Sequence, residues 1–258
     1  MYFDTHAHYE NKRYDEDRDT LLGSMPDAGI SLILNAGCSV ESSKFSLEMA
    51  DRYPFIYSSV GVHPHDSKEM TDKTIDALRQ LLSHPKAVAV GEIGLDFHYD
   101  FSPRDVQRKR FREQLELARC VNKPVIIHMR DATSDTLDLI RDYRDLTGVF
   151  HCFPGSWETA NILLDMGWYI SFTGVITFKN ARKSLEVLEK IPLDRLLLET
   201  DCPYMAPEPN RGRRNSSLYL PYIAEKVADL RGMDVDEIAR VTSENGKRLF
   251  EIECQRGG

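Results

Sequence analysis

The sequence predicts one closed (β/α)8 TIM barrel over residues 1–258, with a metal site at the C-terminal ends of its strands. Eight apolar, β-branched runs alternate with amphipathic stretches, and near-continuous hydrophobicity marks strands buried on both faces of a parallel sheet. Eight strand–helix units in 258 residues match the size of such a barrel. Most of the eight histidines stand where a strand run ends, and in a barrel those ends converge on one face.

The first run, Met1-Tyr2-Phe3, leads into Asp4-Thr5-His6-Ala7-His8. The others are Ile30–Ala36, Phe55–Val62, Ala87–Glu92, Pro124–His128, Gly148–Phe153, Trp168–Phe172 and Arg195–Asp201. Between them, helical spacing puts Leu21, Leu22, Met25 and Ala28 on one stripe, Phe45, Met49 and Tyr53 on a second, and Ile75, Leu78 and Leu82 on a third. Ser102-Pro103 reads as an N-cap followed by proline at the first helical position, opening the face of Phe111, Leu115 and Ala118. Stripes at Leu137/Ile140/Tyr143, Ala160/Leu163/Leu164, Leu185/Leu188 and Ile223/Val227/Leu230 follow. Asp234-x-x-Glu237 has the spacing of a capping box, and a last turn runs from Asn245 to Phe250. Residues 203–215 form the one long irregular segment, read as an insertion after the eighth strand. An open doubly wound sheet is the alternative; it usually carries a Gly-rich phosphate turn after its first strand, and here that turn holds His-Ala-His.

Composition excludes several classes. At 41% hydrophobic and 29% charged, the chain suits a water-soluble globular protein. No run of about 18 apolar residues offers a membrane span, and the N-terminus lacks the pattern of a secretory signal. Five cysteines without a C-x-x-C fit free thiols in a reducing cytoplasm. A net charge of −8 argues against a broad nucleic-acid surface, but not against a local basic patch or a site whose positive charge comes from metals.

The strand ends carry the chemistry. His6 and His8 are two apart, so on an extended segment both imidazoles face the same way. His63, Glu92, His128, His151 and Asp201 occupy equivalent ends of later strands. Four histidines, a glutamate and an aspartate exceed what one tetrahedral ion needs. Two divalent ions bridged by Glu92 use them all: His6, His8, Glu92 and Asp201 for one, Glu92, His128 and His151 for the other. Histidine-rich ligation suits Zn or Mn, while the carboxylates and open positions admit Mg.

These motifs resemble the TatD family of metal-dependent deoxyribonucleases, in the amidohydrolase superfamily. The resemblance runs the length of the chain: Asp4-Thr5-His6-Ala7-His8, Gly61-Val62-His63-Pro64-His65, Gly91-Glu92-Ile93-Gly94-Leu95-Asp96, His128-Met129-Arg130, His151-Cys152-Phe153, Glu199-Thr200-Asp201-Cys202-Pro203-Tyr204, and Asn245-x-x-Arg248-Leu249-Phe250. It implies the barrel, the two-metal site and phosphodiester hydrolysis. It also points to digestion of DNA from the 3′ end. Where some amidohydrolases bridge their metals with a carbamylated lysine, the strand-four position here is Glu92.

The expected reaction is two-metal hydrolysis of single-stranded DNA or of 3′ ends, with RNA a further substrate. Asp201 accepts a proton and His63 donates one to the leaving oxygen. His63, His65 and Arg130 are candidate phosphate contacts, and Asp96 either orients a ligand or caps its loop. Arg211, Arg213 and Arg214 form a candidate phosphate patch, with Lys179 a similar candidate. Cys152 and Cys202, next to ligands, are expected to point into the barrel wall by strand alternation. Two other classes use the same ligand set: an amide, ester or lactone hydrolase, and a non-catalytic metal-binding barrel.

Overall fold

The computed structural model describes residues 1–252. Strands β1 (Tyr2–Ala7), β2 (Ile30–Asn35), β3 (Ile56–Val60), β4 (Ala87–Asp96), β5 (Val125–Arg130), β6 (Gly148–Phe150), β7 (Tyr169–Phe172) and β8 (Leu196–Leu198) form one sheet in sequence order, every neighbouring pair parallel. The helices between and after them are α1 (Arg18–Gly23), α2 (Val40–Arg52), α3 (Asp72–Leu81), α4 (Arg104–Val121), α5 (Thr133–Ile140), α6 (Trp157–Asp165), α7 (Arg182–Lys190), α8 (Leu220–Arg231) and α9 (Val235–Leu249). This is the (β/α)8 barrel that the alternation predicts.

The seam between β1 and β8 closes just beyond the strands. Ala7 bridges Cys202, the Asp201 amide donates to the His6 carbonyl at 2.9 Å, and the His8 amide donates to the Cys202 carbonyl at 2.8 Å. Beneath that, the buried Asp4 carboxylate accepts from the Thr200 amide (2.9 Å), the Thr200 hydroxyl (2.6 Å) and the Ser217 hydroxyl (2.6 Å). Burial pushes its carboxyl up to about 6, against the pull of those donors.

Two apolar layers fill the structure. The larger lies between the sheet and the ring of helices. The smaller fills the lower barrel, where Phe3, Leu34, Val88, Ile126, Val149, Tyr169 and Leu197 meet Leu249 and Phe250. Helix α9 plugs that end: Phe250 sets its ring edge-on to Phe3, and Asn245 donates to the carbonyls of Leu193 and Leu196. Gly246 faces β1 so closely that a Cβ would sit 2.7 Å from the Phe3 ring.

Several boundaries differ from the sequence reading. The α4 cap is Pro103, without a side-chain cap bond; Ser102 instead donates to the His65 carbonyl and accepts from the Lys68 amide, tying two loops together. Asp234 caps α9 through the Asp236 amide, and Glu237 pairs with Arg240, so no capping box forms. Asn245 to Phe250 is the end of that same helix. Met25 and Ala28 lie beyond the short α1. β4 continues past Glu92 to Asp96, with its pairing to β5 slipping between Val90 and Ile93.

Candidate metal centre

At the open end, side chains from six strand ends converge on the Glu92 carboxylate. Its Oε2 lies 3.3 Å from His6 Nε2 and 3.7 Å from His8 Nε2. Its Oε1 lies 2.8 Å from His128 Nδ1, 2.9 Å from His151 Nε2 and 3.3 Å from His63 Nε2. Asp201 completes the first group, with Oδ1 at 3.3 Å from His8 Nε2 and 3.9 Å from His6 Nε2. Asp201 holds the left-handed conformation at φ +53°, and the turn at Cys152, φ +41°, follows His151. Such backbone is uncommon away from glycine and gathers at functional sites.

The other nitrogen of three of these rings faces a second carboxylate. His8 Nδ1 lies 3.3 Å from Glu10, His151 Nδ1 lies 3.3 Å from Glu199, and His128 Nε2 bonds Asp96 at 3.1 Å. Those acids are themselves held: Glu10 by Asn35, Glu199 by the Cys152 amide and the Ser171 hydroxyl, Asp96 by the amides of His98 and Tyr99. An outer carboxylate takes the ring proton and leaves the inner nitrogen as a lone pair, the arrangement of metal-binding histidines. Among the described residues, the buried side-chain atoms with no hydrogen-bond partner include His6 Nδ1 and His151 Nδ1, the latter near Glu199 at an ion-pair distance without hydrogen-bond geometry.

The donors fit a cation. His6 and His8 present their Nε2 atoms 3.0 Å apart. The ligand atoms of one tetrahedral ion stand about 3.4 Å from one another when each lies about 2.1 Å from the metal. The separations among His6, His8, Glu92 and Asp201, 3.0 to 3.9 Å, bracket that spacing. Glu92, His128, His151 and His63 form a second group of comparable size.

The electrostatics agree. Burial alone would raise the Glu92 carboxyl, but the charge of His151 and hydrogen bonds from His128 and His151 hold it well below its usual range. Burial likewise opposes charging His8, His128 and His151. The acids beside them outweigh it (with Cys38 also acting on His8), and all three are raised above the usual histidine value. A raised pKa means that these rings bind protons more tightly than a free histidine, so a cation must compete with those protons. Metal affinity should therefore rise with pH through the neutral range, and binding near pH 7 should release about one proton per ion or more. Calorimetric titration in buffers of different ionisation enthalpy measures this release. Affinity independent of pH between 6 and 8 would contradict it.

His63 differs from its neighbours. Burial lowers its pKa to about 4, despite the Glu92 carboxylate. Its Nδ1 accepts from the His65 amide at 3.2 Å, which assigns the single proton of the neutral ring to Nε2. That N–H points into the cup as a donor. His65 bonds Asp96 at 2.9 Å, on the same oxygen that holds His128. Arg130 lies over the Tyr99 ring, and Asp131 pairs with His98 rather than with Arg130. All three predicted phosphate contacts line a cavity of 650 Å³ together with His8, Glu92, His128, His151 and Asp201.

The basic loop is placed differently. Arg214 is bidentate to Asp17 at 2.6 and 2.7 Å, donates to the Arg13 carbonyl and covers Tyr14. Arg211 lies over Phe178 near Glu208. Arg213 and Lys179 are exposed, and none of the four lines the 650 Å³ cavity. The expected shared phosphate patch does not form, because Asp17 supplies the nearer anion. Cys152 also departs from expectation: it lies past β6 in the left-handed turn and lines a 240 Å³ annex of the cup with Phe153, Phe172, Ile176 and Met205. Burial beside Asp201 and Glu199 keeps its thiol well above the usual range. Cys202 is buried in the wall as expected.

Three comparisons bear on this geometry. A family profile described as TatD related DNase matches residues 3–251. The chain belongs to the TatD DNase family. TatD relatives include the uncharacterized metal-dependent hydrolase YabD of Bacillus subtilis, 44% identical over 98% of this chain and all of that protein. The 3′-5′ ssDNA/RNA exonuclease TatD of Salmonella typhimurium is 37% identical, covering 97% of this chain and 99% of that one. Among solved structures, the TatD homolog YjjV of Escherichia coli K12 superposes with a TM-score of 0.92 at 31% identity over 98% of each chain. As a TatD protein, the chain is a metal-dependent hydrolase. Among the described residues, no helix is long and apolar enough to cross a membrane.

Proposed function

We propose that this TatD barrel, as one unit over its whole length, hydrolyses phosphodiester bonds of single-stranded nucleic acid from the 3′ end, using two divalent ions. The observation that carries this is the Glu92 carboxylate shared between two groups of imidazoles at the floor of an open cavity. His6, His8, Glu92 and Asp201 would hold one ion, and Glu92, His128 and His151 the other. Bound there, the ions would supply Lewis acidity toward a phosphoryl oxygen and ease ionisation of the attacking water. Asp201 is held ionised, since burial would raise it but the bond to His8 and the charge on that ring keep it lowered, and its carboxylate is the candidate proton acceptor. His63 presents its Nε2 proton toward the leaving oxygen, and Arg130 and His65 meet phosphate at the rim. Free thiols at Cys38, Cys120, Cys152 and Cys202 support a reducing cytoplasmic setting; Cys254 lies outside the described residues.

The cup favours a strand end over a duplex, because a rigid double helix cannot reach a floor set below loop rims. The Salmonella relative, named as a 3′-5′ ssDNA/RNA exonuclease, supports the same direction and keeps RNA as a substrate. One feature favours a second reading. The 240 Å³ annex, walled by Phe153, Phe172 and Ile176, would suit a small ester, amide or lactone.

A panel separates the readings: single-stranded DNA, blunt duplex, RNA, a circular single strand and simple esters, each with Mg, Mn and Zn. Single strands should be cut faster than duplex, releasing 5′-mononucleotides, and the circle should resist. Rapid internal cutting of the circle would refute exonuclease action. Turnover confined to esters would move the assignment to the second reading.

A further inference from the structure

We infer that Tyr99 and Phe101, on the loop between β4 and α4, form a stacking platform for a nucleobase of the bound strand. The inference rests on the nuclease reading and names how that same site holds its substrate. Tyr99 and Phe101 are 48% and 56% exposed, and their rings stack with centroids 5.2 Å apart and planes 22° apart. The Arg130 guanidinium lies 4.8 Å from the Tyr99 centroid. His65 sets its ring edge-on to both, at 5.4 and 4.8 Å. Planar groups so arranged, two of them half open to solvent, make an unfinished stack.

Its position argues for a ligand. Of the eight large apolar side chains exposed among the described residues, four, Tyr99, Phe101, Tyr204 and Met205, line the cavity that contains Glu92, while the other four lie outside its lining. Exposed apolar surface gathered at one mouth marks a binding surface. The chemistry argues for a base. Every base has a π-face that stacks on an aromatic ring regardless of sequence, and an arginine beside the stack adds cation–π attraction and meets backbone phosphate. A sequence-tolerant exonuclease needs that kind of hold.

The platform is also built in register with the metal centre. One Asp96 oxygen accepts from the Tyr99 amide at 2.8 Å, while the other bonds His128 at 3.1 Å and His65 at 2.9 Å. Buried Ser102 fixes the far side of the loop by donating to the His65 carbonyl at 2.7 Å. One carboxylate thus sets the distance between the loop that carries the rings and a candidate metal ligand. The anchors are the buried Asp96 and Ser102 side chains, which hold main-chain groups and not the rings, so the rings can be removed without loosening the loop.

The test uses the full chain with its metals, the variants Tyr99→Ala, Phe101→Ala and the pair, and single-stranded oligonucleotides with one abasic site at each of the last few 3′ positions. Metal content should be unchanged. KM for the intact oligonucleotide should rise between about fivefold and about 100-fold in the pair variant, the range for losing one base–aromatic stack. An abasic site at one position should produce a similar rise in the parent protein and no further rise in the variant. A conservative Phe101→Trp should restore binding. A parent that cuts oligonucleotides but shows the same KM after loss of both rings overturns the platform and leaves the nuclease reading intact. Equal losses at every abasic position in parent and variant overturn it as well. A parent that neither cuts nor binds any oligonucleotide overturns both.

Discussion

Glu92→Gln should lower kcat by about a thousandfold or more, and purified protein should carry one ion or none instead of two. The side chain keeps its shape, so the loss follows from charge. Both carboxylate oxygens are in use, Oε2 toward His6 and His8 and Oε1 toward His63, His128 and His151. The glutamine amide offers one acceptor, and its NH2 end would face nitrogens that must present lone pairs. A metal centre supplies several kcal/mol of transition-state stabilisation, and at about 1.4 kcal/mol per tenfold that is about a thousandfold. His6→Ala strips one donor from one group and should lose less. Metal analysis beside steady-state kinetics decides the matter. Two tightly bound ions in the Glu92→Gln protein would falsify the bridging role.

Asp201→Asn should reduce kcat by about 10²- to 10⁴-fold, the usual worth of a positioned proton acceptor, while KM for oligonucleotide stays within a small factor. The fold holds Asp201 by its amide, bonded to the His6 carbonyl, so the substitution leaves the backbone in place. Its carboxylate sits against His8 and, to a lesser degree, His6, and lies on the wall of the cavity. Asparagine keeps an oxygen toward His8 but cannot take a proton. If kcat stays within about tenfold of the parent, the acceptor is another group, and Asp201 serves only to hold the ion.

Much of this was legible in the residues themselves. Strands whose runs are apolar, such as Ile30–Asn35 and Val125–Arg130, announce a parallel sheet covered on both faces, and His-Ala-His in place of a Gly-rich turn after the first strand favours the barrel over a doubly wound sheet. The fold rules then bring His6, His8, Glu92, His128, His151 and Asp201 together without a contact being known. The partners of those ligands were not legible as such. Glu10 lies two residues after His8, and Glu199 two before Asp201 and 47 residues from Cys152, whose amide it accepts. Only the spacing of an acid two positions from a ligand hints at them. Asp96 shows that its two readings were not exclusive, since one carboxylate caps the loop and holds His128. The basic loop failed for a general reason: a charge run specifies no direction, and the distant Asp17 captured Arg214. Tyr99 and Phe101 went unread because exposure belongs to the fold and not to the residue.

The seam between the first and last strands has a consequence for how the protein responds to its surroundings. His6 and His8 sit at one edge of the seam and Asp201 at the other, beside an Asp4–Thr200 bond that spans 196 positions. An ion shared by these groups is a buckle on a belt almost as long as the chain. Added to the hydrogen bonds that already close this seam, such a clasp would couple global unfolding to the free concentration of the cation. At a thousand times its dissociation constant the buckle is worth about 4 kcal/mol. Stripping the metal should therefore slacken the barrel along with removing its chemistry, and the idle form should be the one most open to proteases.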